Sequence, residues 1–308
     1  MLKYYKFGDE GPEETDHKEA EFINIEEPTQ LEVEALEQEL RLPHTFVNDP
    51  LDPKERPRVE QELPATLIIV RIPRLPTAME KHHLTTVPLG IIFTRDKIIT
   101  ICRDRDLVVN LLKRASRKPK PNCRFSVAFK LLIESSRDFI NHLERLEELT
   151  NRAESTLSKA QQNEEIMMLL TIEKALINYT VALRSNRGIM EKLMENTTIH
   201  LRPEEIDLLE RALTENQQAI FTADIFGQVL GSMSDAFGTI ISNNLNKVMK
   251  FLTGITIILM LPTLIAGLYG MNVVLPLEKH PYAFWIILFG CSISGILLWL
   301  FFSRKRWV

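Results

Sequence analysis

Residues 251–272 read FLTGITIILMLPTLIAGLYGMN, and this stretch decides the fold. Its first part, Phe251 to Tyr269, carries no charged side chain, and a second uncharged stretch, PYAFWIILFGCSISGILLWLFFS, follows at 281–303. A helix needs about 20 mostly apolar residues to cross the hydrocarbon core of a bilayer. Each stretch is therefore predicted to be a transmembrane helix, and the lipid bilayer is an expected partner.

Composition excludes several classes of function. The net charge is −4, whereas nucleic-acid-binding proteins usually carry a basic excess, so no nucleic acid is expected as a partner. The three cysteines, Cys102, Cys123 and Cys291, lack the paired spacing of a zinc site or a disulfide framework. No GxxxxGK[ST] motif and no nucleophile–base pair is found, which argues against an ATP-driven pump and against an enzyme.

Charges beside the two apolar stretches predict the orientation. Lys247 and Lys250 precede the first stretch, and the basic cluster Arg304, Lys305 and Arg306 follows the second. Because basic residues accumulate on the cytoplasmic side, both termini are predicted to be cytoplasmic and the connecting loop to lie outside. The first ten residues, MLKYYKFGDE, lack the apolar region of a cleaved signal peptide. A cell membrane protein with two spans is expected.

The pattern along the chain predicts an α+β cytosolic domain, a long stalk helix and two transmembrane helices. β-rich runs occur at 22–29, 65–73 and 88–104, the last with a turn at Arg95-Asp96, and a short helix opens at Thr29. Pro203 begins a helical pattern without another proline before Pro262. The predicted divisions are a cytosolic α/β part at 1–125, a cytosolic helical part at 126–202, a stalk helix at 203–250, a first span at 251–269, a loop at 270–280, a second span at 281–303 and a basic cytosolic tail at 304–308.

One face of the stalk and first span is unusually polar for a membrane helix. At about 100° per residue, one stripe roughly 100° wide collects Asp235, Asn246, Met249, Thr253, Thr256, Met260, Thr263 and Gly267. The opposite face of the span carries only aliphatic residues, namely Ile258, Leu261, Ile265 and Leu268. Such a stripe faces either a water-filled cavity or a packed neighbouring helix. Two spans cannot enclose a lumen, so conduction would require several copies of the chain.

The tripeptide Gly270-Met271-Asn272 stands at the outer end of this stripe. Glycine often ends a helix in the left-handed conformation, and Gly270 is expected to do so. Asn272 would then supply a neutral amide oxygen, which can hydrogen-bond a hydrated cation without stripping its water. Met271 is expected to pack behind the loop.

The sequence Tyr269-Gly270-Met271-Asn272 between two terminal spans resembles the CorA family of divalent-cation channels. The resemblance is strong over roughly the last 75 residues and includes 243–253 and 262–267. It implies a funnel-shaped homopentamer that moves magnesium, with cobalt or nickel as further ions, and in which magnesium also regulates gating. It implies a selectivity filter at Gly270, Met271 and Asn272, a hydrophobic gate at Met249, Leu252 and Met260, and polar positions at the cytoplasmic end at Asp235 and Asn246. The basic residues at 304–306 would pack around the stalk.

Two alternatives remain open from the sequence. A zinc transporter of the same fold would share the architecture, although Met271 argues modestly against it. A non-conducting, membrane-tethered sensor or scaffold would need neither the polar stripe nor Asn272. The carboxylates that would bind a regulatory ion do not stand out, and the acidic loop containing Asp49, Asp52 and Glu55 is interpreted as solvated.

Overall fold

The computed structural model describes residues 2–8, 11–17, 19–63, 65–74, 84–115, 124–157, 163–195, 199, 201–271, 276, 280–305 and 307. The chain divides into an N-terminal unit, Met1–Leu230, and a C-terminal unit, Gly231–Val308. One helix contributes residues to both of them.

The N-terminal unit is built on a seven-stranded sheet in the order β2-β1-β3-β7-β6-β5-β4. β3 and β7 are parallel, and the other neighbouring pairs are antiparallel. Each predicted β-rich run contains at least one strand, and β6 and β7 form a hairpin that bends at Arg95-Asp96. The strands are β1 Leu2–Gly8, β2 Gly11–Glu14, β3 Phe22–Glu26, β4 Arg58–Glu62, β5 Ala65–Arg74, β6 Thr85–Phe93 and β7 Ile98–Cys102.

Helices cover both faces of this sheet. Thr29 caps the first helix in a reciprocal capping box with Glu32, as the sequence signal predicts. The helices are α1 Gln30–Leu40, α2 His44–Asn48, α3 Leu107–Ala115, α4 Arg124–Leu157 and α5 Asn163–Glu195, and a single 3-10 turn spans Asp49–Leu51.

Side chains alternate along the strands and therefore form two separate cores. On β7, Ile99 and Ile101 belong to a core with α1 and α2, whereas Ile98 and Cys102 belong to a core with α3, α4 and α5. Burial within the second core raises the pKa of the Cys102 thiol to about 12. The two helical layers thus lie on opposite faces of the sheet.

Two buried polar side chains join helices to the rest of the N-terminal unit. Asn186 of α5 accepts a hydrogen bond from the backbone N–H of Arg71 at 2.8 Å and donates one to its carbonyl at 2.7 Å. Arg71 lies beyond the last β4–β5 pair, Arg58 with Ile69, so the amide side chain takes the position of a strand partner. The Glu205 carboxylate accepts from the N–H groups of Phe125 and Arg202, next to the starts of two helices.

The longest helix, α6, runs from Pro203 to Tyr269 and continues through Pro262. The last helix, α7, spans Ala283–Arg304. Both helices are long and apolar enough to cross a membrane by length and composition. The predicted order of an α/β domain, a long helix and a second apolar helix is therefore confirmed.

Candidate ion pathway on the long helix

The polar stripe of α6 is an open face of the chain. All of its predicted members are exposed, and so is Leu252, which the family resemblance adds to them. Met249 is 53% exposed and Met260 is 66% exposed, so even the apolar members have no cover within the chain. The exposed positions are Asp235, Asn246, Met249, Leu252, Thr253, Thr256, Met260, Thr263 and Gly267.

The opposite face of α6 is partly covered. Gly254 is buried, and Ile258, Leu261 and Ile265 are half-buried, at spacings of three or four residues. The second apolar helix shows the same spacing of half-buried positions, at Ala283, Ile287, Cys291, Ser294 and Leu298. This is the pattern of two helices that each bury one face within the C-terminal unit. Packing inside the chain therefore uses the aliphatic face of α6 and leaves the polar stripe exposed.

The threonine hydroxyls of the stripe are oriented by their own helix. Thr256 Oγ1 donates to the Leu252 carbonyl and Thr263 Oγ1 donates to the Leu259 carbonyl, both at 2.8 Å. A hydroxyl has one hydrogen and two lone pairs, so an oxygen that has donated its hydrogen remains an acceptor. These two threonines therefore present acceptor oxygens along the stripe, which is the chemistry that water around a cation requires.

An open groove of about 610 Å³ runs beside the stripe and is lined by Thr256, Leu259, Met260, Thr263, Leu264, Gly267 and Leu268. Leu259 and Leu264 were not predicted as site residues, although their spacing of three or four residues from stripe members would have identified them. The helical wheel predicts Leu268 on the face opposite the stripe. It is instead 47% exposed and lines the groove, because the covered face ends one turn earlier at Ile265.

The end of α6 differs from the prediction at Gly270. Its backbone does not adopt the left-handed conformation. The Gly270 N–H instead approaches two carbonyls, that of Ala266 at 3.0 Å and that of Gly267 at 3.3 Å, and Met271 N bonds Leu268 O at 3.2 Å. The last turn tightens by three-residue hydrogen bonds, which end a helix without a left-handed residue.

A hydrogen bond spans the loop that follows. The Tyr269 hydroxyl donates to the Pro276 carbonyl at 3.1 Å, which ties the end of α6 to a point seven residues further along the chain. Gly270 and Met271 are both exposed within this closed segment. The predicted ligand Asn272 lies outside the described residues.

The basic residues predicted to flank the spans are exposed. Lys247 and Lys250 lie on α6, Arg304 is the last residue of α7, and Lys305 caps that helix through its backbone N–H. Trp307 stacks on Phe302 with the ring centroids 5.4 Å apart. Arg306 lies outside the described residues.

The acidic loop interpreted as solvated is more ordered than expected. Asp49 and Glu55 both form ion pairs with the half-buried Arg58, which also binds Glu60 at 3.0 Å. Burial alone would lower the pKa of Arg58, but the hydrogen bonds that it donates to Glu60 and Asp49 raise it. Asp52 accepts from the Lys54 N–H in a local turn. Among the residues that the structure describes, no group of three or more metal-ligating side chains is assembled within the single chain.

A buried histidine–tyrosine pair lies between α4 and α5. His142 Nδ1 and the Tyr179 hydroxyl are 3.0 Å apart, and both residues are buried. Burial lowers the pKa of His142 to about 4, with nearby Arg145 and Arg114 lowering it further and Asp138 opposing them. Burial also raises the pKa of Tyr179. The pair is therefore neutral at physiological pH and has a structural role.

Two comparisons with known proteins agree on one protein family. Residues 17–306 match the protein-family model described as CorA-like Mg²⁺ transporter protein. The cobalt/magnesium transport protein CorA of Methanocaldococcus jannaschii is 26% identical over 293 residues, which cover 93% of this chain and 91% of that protein.

Solved structures share the fold. The complete structure of the CorA magnesium transporter from Methanocaldococcus jannaschii superposes with a TM-score of 0.83 at 23% identity, covering 100% of this chain and 99% of that one. The ZntB cytoplasmic domain from Vibrio parahaemolyticus superposes with a TM-score of 0.61 at 12% identity, covering 78% of this chain and 98% of that one. Proteins with different names therefore share this fold, and the fold alone does not identify the transported ion.

Proposed function

The chain belongs to the CorA-like family of Mg²⁺ transporter proteins, and from that premise we propose that it is a divalent-cation channel that carries magnesium into the cytosol. The transported ion is the substrate, and the membrane potential is the driving force. An interior-negative potential favours entry by about 2.3 kcal/mol per charge for each 100 mV.

One observation carries this proposal: the polar stripe of α6 is exposed from Asp235 to Gly267, while the aliphatic face of the same helix is covered. An exposed row of threonines and an asparagine on a membrane helix needs a polar environment, since polar groups in hydrocarbon are costly. Several copies arranged around one axis would provide it by enclosing water. The family resemblance makes the number five, with α6 lining the lumen and α7 outside it.

The filter proposed for this lumen is Gly270, Met271 and Asn272. Magnesium releases its water reluctantly, so a ring of neutral amide oxygens from Asn272 would select the hydrated ion and still release it. The tightened turn at Gly270 and the Tyr269–Pro276 hydrogen bond support a loop held close to the helix end.

The gate proposed for the lumen is made by Met249, Leu252 and Met260. All three are exposed apolar side chains on or beside the stripe. A ring of such side chains in a narrow pore expels water and stops ions without closing sterically. Asp235 and Asn246 would supply polar positions at the cytoplasmic end.

Regulation by cytosolic magnesium is part of the proposal, and its ligands would come from more than one copy. Within the part of the chain that the structure describes, no three metal-ligating side chains come together, and two prominent carboxylates, Asp49 and Glu55, are bound to Arg58. Carboxylates of two neighbouring copies facing each other could hold the ion that a single copy does not.

Orientation follows from the basic residues. Lys247 and Lys250 precede the first span and Arg304, Lys305 and Arg306 follow the second, so by the positive-inside rule we infer that both termini are cytoplasmic. The filter then faces the outside of the cell membrane. Cobalt and nickel would also pass, because an amide ring around a hydrated ion discriminates weakly between ions of similar size.

The decisive experiment measures magnesium uptake into liposomes that contain the purified chain, with an imposed potential. Wild type is compared with Asn272→Ala and with Asn244→Ala, which removes the same amide from the face of α6 opposite the stripe. We expect potential-driven uptake that Asn272→Ala abolishes and Asn244→Ala retains.

Other outcomes favour the alternatives. Zinc flux driven by a proton gradient, together with silence toward magnesium, would indicate a zinc transporter of the same fold. The absence of any divalent flux under every gradient would indicate a tethered sensor or scaffold.

A further inference from the structure

One feature of the N-terminal unit that ion conduction does not use is a cavity of about 870 Å³ at one end of the strands of the sheet. It lies where β3, β5 and β7 end, since β5 and β7 both run antiparallel to β6 and β7 is parallel to β3. Its lining residues are Glu27, Pro28, Leu51, Pro53, Arg71, Arg74, Thr85, Thr86, Val87, Pro88, Arg103 and Asp104.

The connections between strands distinguish this end of the sheet. The chain leaves β3 for α1 on one face of the sheet and leaves the neighbouring β7 for α3 on the other face. Neighbouring parallel strands whose connections go to opposite faces open a crevice at their carboxyl ends, which is where open α/β sheets bind ligands. The turns Glu27–Pro28 and Arg103–Asp104 form the two sides of this crevice.

Positive charge is in slight excess among the described lining residues of the cavity. Three guanidinium groups, from Arg71, Arg74 and Arg103, accompany two carboxylates, from Glu27 and Asp104, and Asp52 outside this lining also acts on Arg71 through its charge. This balance disfavours a divalent cation and favours an anion. Guanidinium groups match the geometry of phosphate and carboxylate oxygens better than any other side chain.

Arg71 is held rigidly in this cavity. Its Nε donates to Thr86 Oγ1 at 2.8 Å, its Nη1 to the Glu55 carbonyl at 2.8 Å, and its Nη2 to the Thr86 carbonyl at 2.6 Å. Its backbone is fixed by Asn186. Its Nη2 also donates to the Pro53 carbonyl at 3.1 Å. Burial lowers the pKa of Arg71 and Asp52 opposes this lowering, so a bound anion would act on Arg71 mainly through its charge.

The other two arginines of the cavity differ in their surroundings. Arg74 is held by Asp104, with Nε and Oδ2 2.7 Å apart, and Arg103 is exposed at the rim. The remaining wall is apolar and stiff, because it is built largely from prolines. The cavity thus combines a positively charged side with a rigid apolar side, and its volume lies within the range of small-molecule sites, about 300–1,000 Å³.

We propose that this cavity binds a phosphate-bearing anion of nucleotide size, with its phosphate toward the arginines and its ring against the proline-rich wall. The proposal does not depend on ion conduction, because the cavity lies within the N-terminal unit and shares no residue with the stripe of α6.

The test uses isothermal titration calorimetry on the full-length chain in detergent, with a chelator to remove divalent ions. The probes are ADP, AMP, inorganic phosphate and adenosine. We expect ADP and AMP to bind, inorganic phosphate to bind more weakly, and adenosine not to bind. Stronger binding of inorganic phosphate than of either nucleotide would contradict the role of the apolar wall.

Variants locate the binding. Arg103→Ala removes an exposed guanidinium at the rim, and Arg95→Ala removes another exposed arginine, from the β6–β7 turn at the opposite end of β7. We expect Arg103→Ala to weaken ADP binding about tenfold, the size of one charge-assisted hydrogen bond, while Arg95→Ala leaves it unchanged. Equal melting temperatures of the variants and wild type would verify that the fold is intact.

Two results would overturn the proposal. One is the absence of heat from any probe at concentrations up to about 5 mM, a Kd range that is weak for a specific site. The other is ADP binding that is the same in wild type, Arg103→Ala and the charge-reversed Arg103→Glu, which would put the anion elsewhere on the protein.

Discussion

The substitution Gly267→Ala should narrow a lumen without lowering the stability of the single chain. A Cβ built at Gly267 meets no other heavy atom within 4 Å in the single chain. Alanine is favoured over glycine inside a helix by about 1 kcal/mol, so the substitution should leave the isolated chain equally or more stable.

The same methyl group should impair transport. If Gly267 lines a lumen, each copy adds a carbon about 1.5 Å from its Cα, and the opening narrows by up to about 3 Å across. Magnesium must keep its first shell of oxygens at about 2.1 Å or lose it at high cost. We expect magnesium uptake to fall at least about tenfold, which corresponds to about 1.4 kcal/mol in the barrier.

The assay is magnesium-indicator fluorescence in liposomes, together with the melting temperature of each protein. Gly290→Ala is the matched control, because a Cβ there also meets no atom within 4 Å but lies on α7. Uptake by Gly267→Ala at the wild-type rate would refute the position of Gly267 at a narrow part of the lumen. Equal losses in both variants would indicate a general effect of glycine on helix packing instead.

Three further outcomes are expected. Asn186→Ala removes the hydrogen-bond partner of the backbone N–H and carbonyl of Arg71. We expect the free energy of unfolding, measured by denaturant titration, to fall by about 2–4 kcal/mol, and a loss below about 0.5 kcal/mol would contradict this. Lowering the pH from about 6.5 to 4 should destabilise the protein by up to about 3 kcal/mol. The reason is that burial lowers the pKa of His142 to about 4 in the folded state, so over this range the unfolded chain binds a proton that the folded chain does not. The variant His142→Gln should flatten this dependence of stability on pH, and an unchanged profile would exclude His142 as its source. Tyr269→Phe deletes the hydrogen bond to Pro276, worth about 1 kcal/mol, and should reduce magnesium uptake severalfold while lowering the melting temperature by only a few degrees. Full uptake would mean that the bond does not position the loop.

Local signals explain the parts of the fold that the sequence predicted. The extent of α6 follows from a proline at its start, acidic residues in its first turn and an uninterrupted apolar periodicity. The capping box of α1 likewise depends on only two residues, Thr29 and Glu32. Such features depend on neighbours three or four positions away and can be identified without tertiary structure.

The edge strand β4, and β1 next to the other edge of the sheet, could not be predicted in the same way. β4 reads RVEQE and β1 reads LKYYKFG, so their charged residues mask the alternation that marks a half-buried strand. Both strands form because they pair with another strand, β4 with the adjacent hairpin strand β5 and β1 with β3. Charged side chains on an edge strand also discourage pairing with other chains, which is a reason for the polar composition of β4.

The candidate pathway was predictable as a stripe but not in its details. A helical wheel identifies the exposed polar face because spacing alone determines it. The backbone conformation of Gly270 depends on which carbonyls its N–H approaches, and the Tyr269–Pro276 bond depends on the path of a loop. The crevice between the turns after β3 and β7 requires knowledge of which strands are neighbours, which no local pattern contains.

The spacing along the stripe has a geometric consequence for an assembly. From Asn246 to Gly267 its members alternate steps of three and four residues, which is a repeat of 3.5. A straight α-helix drifts by about 20° per seven residues against such a repeat, or about 60° over this stretch. Copies of α6 that keep the stripe on a common axis must therefore wind around one another as a left-handed supercoil. Twisting or untwisting that supercoil would change the radius of the lumen along the whole length of the stripe at once.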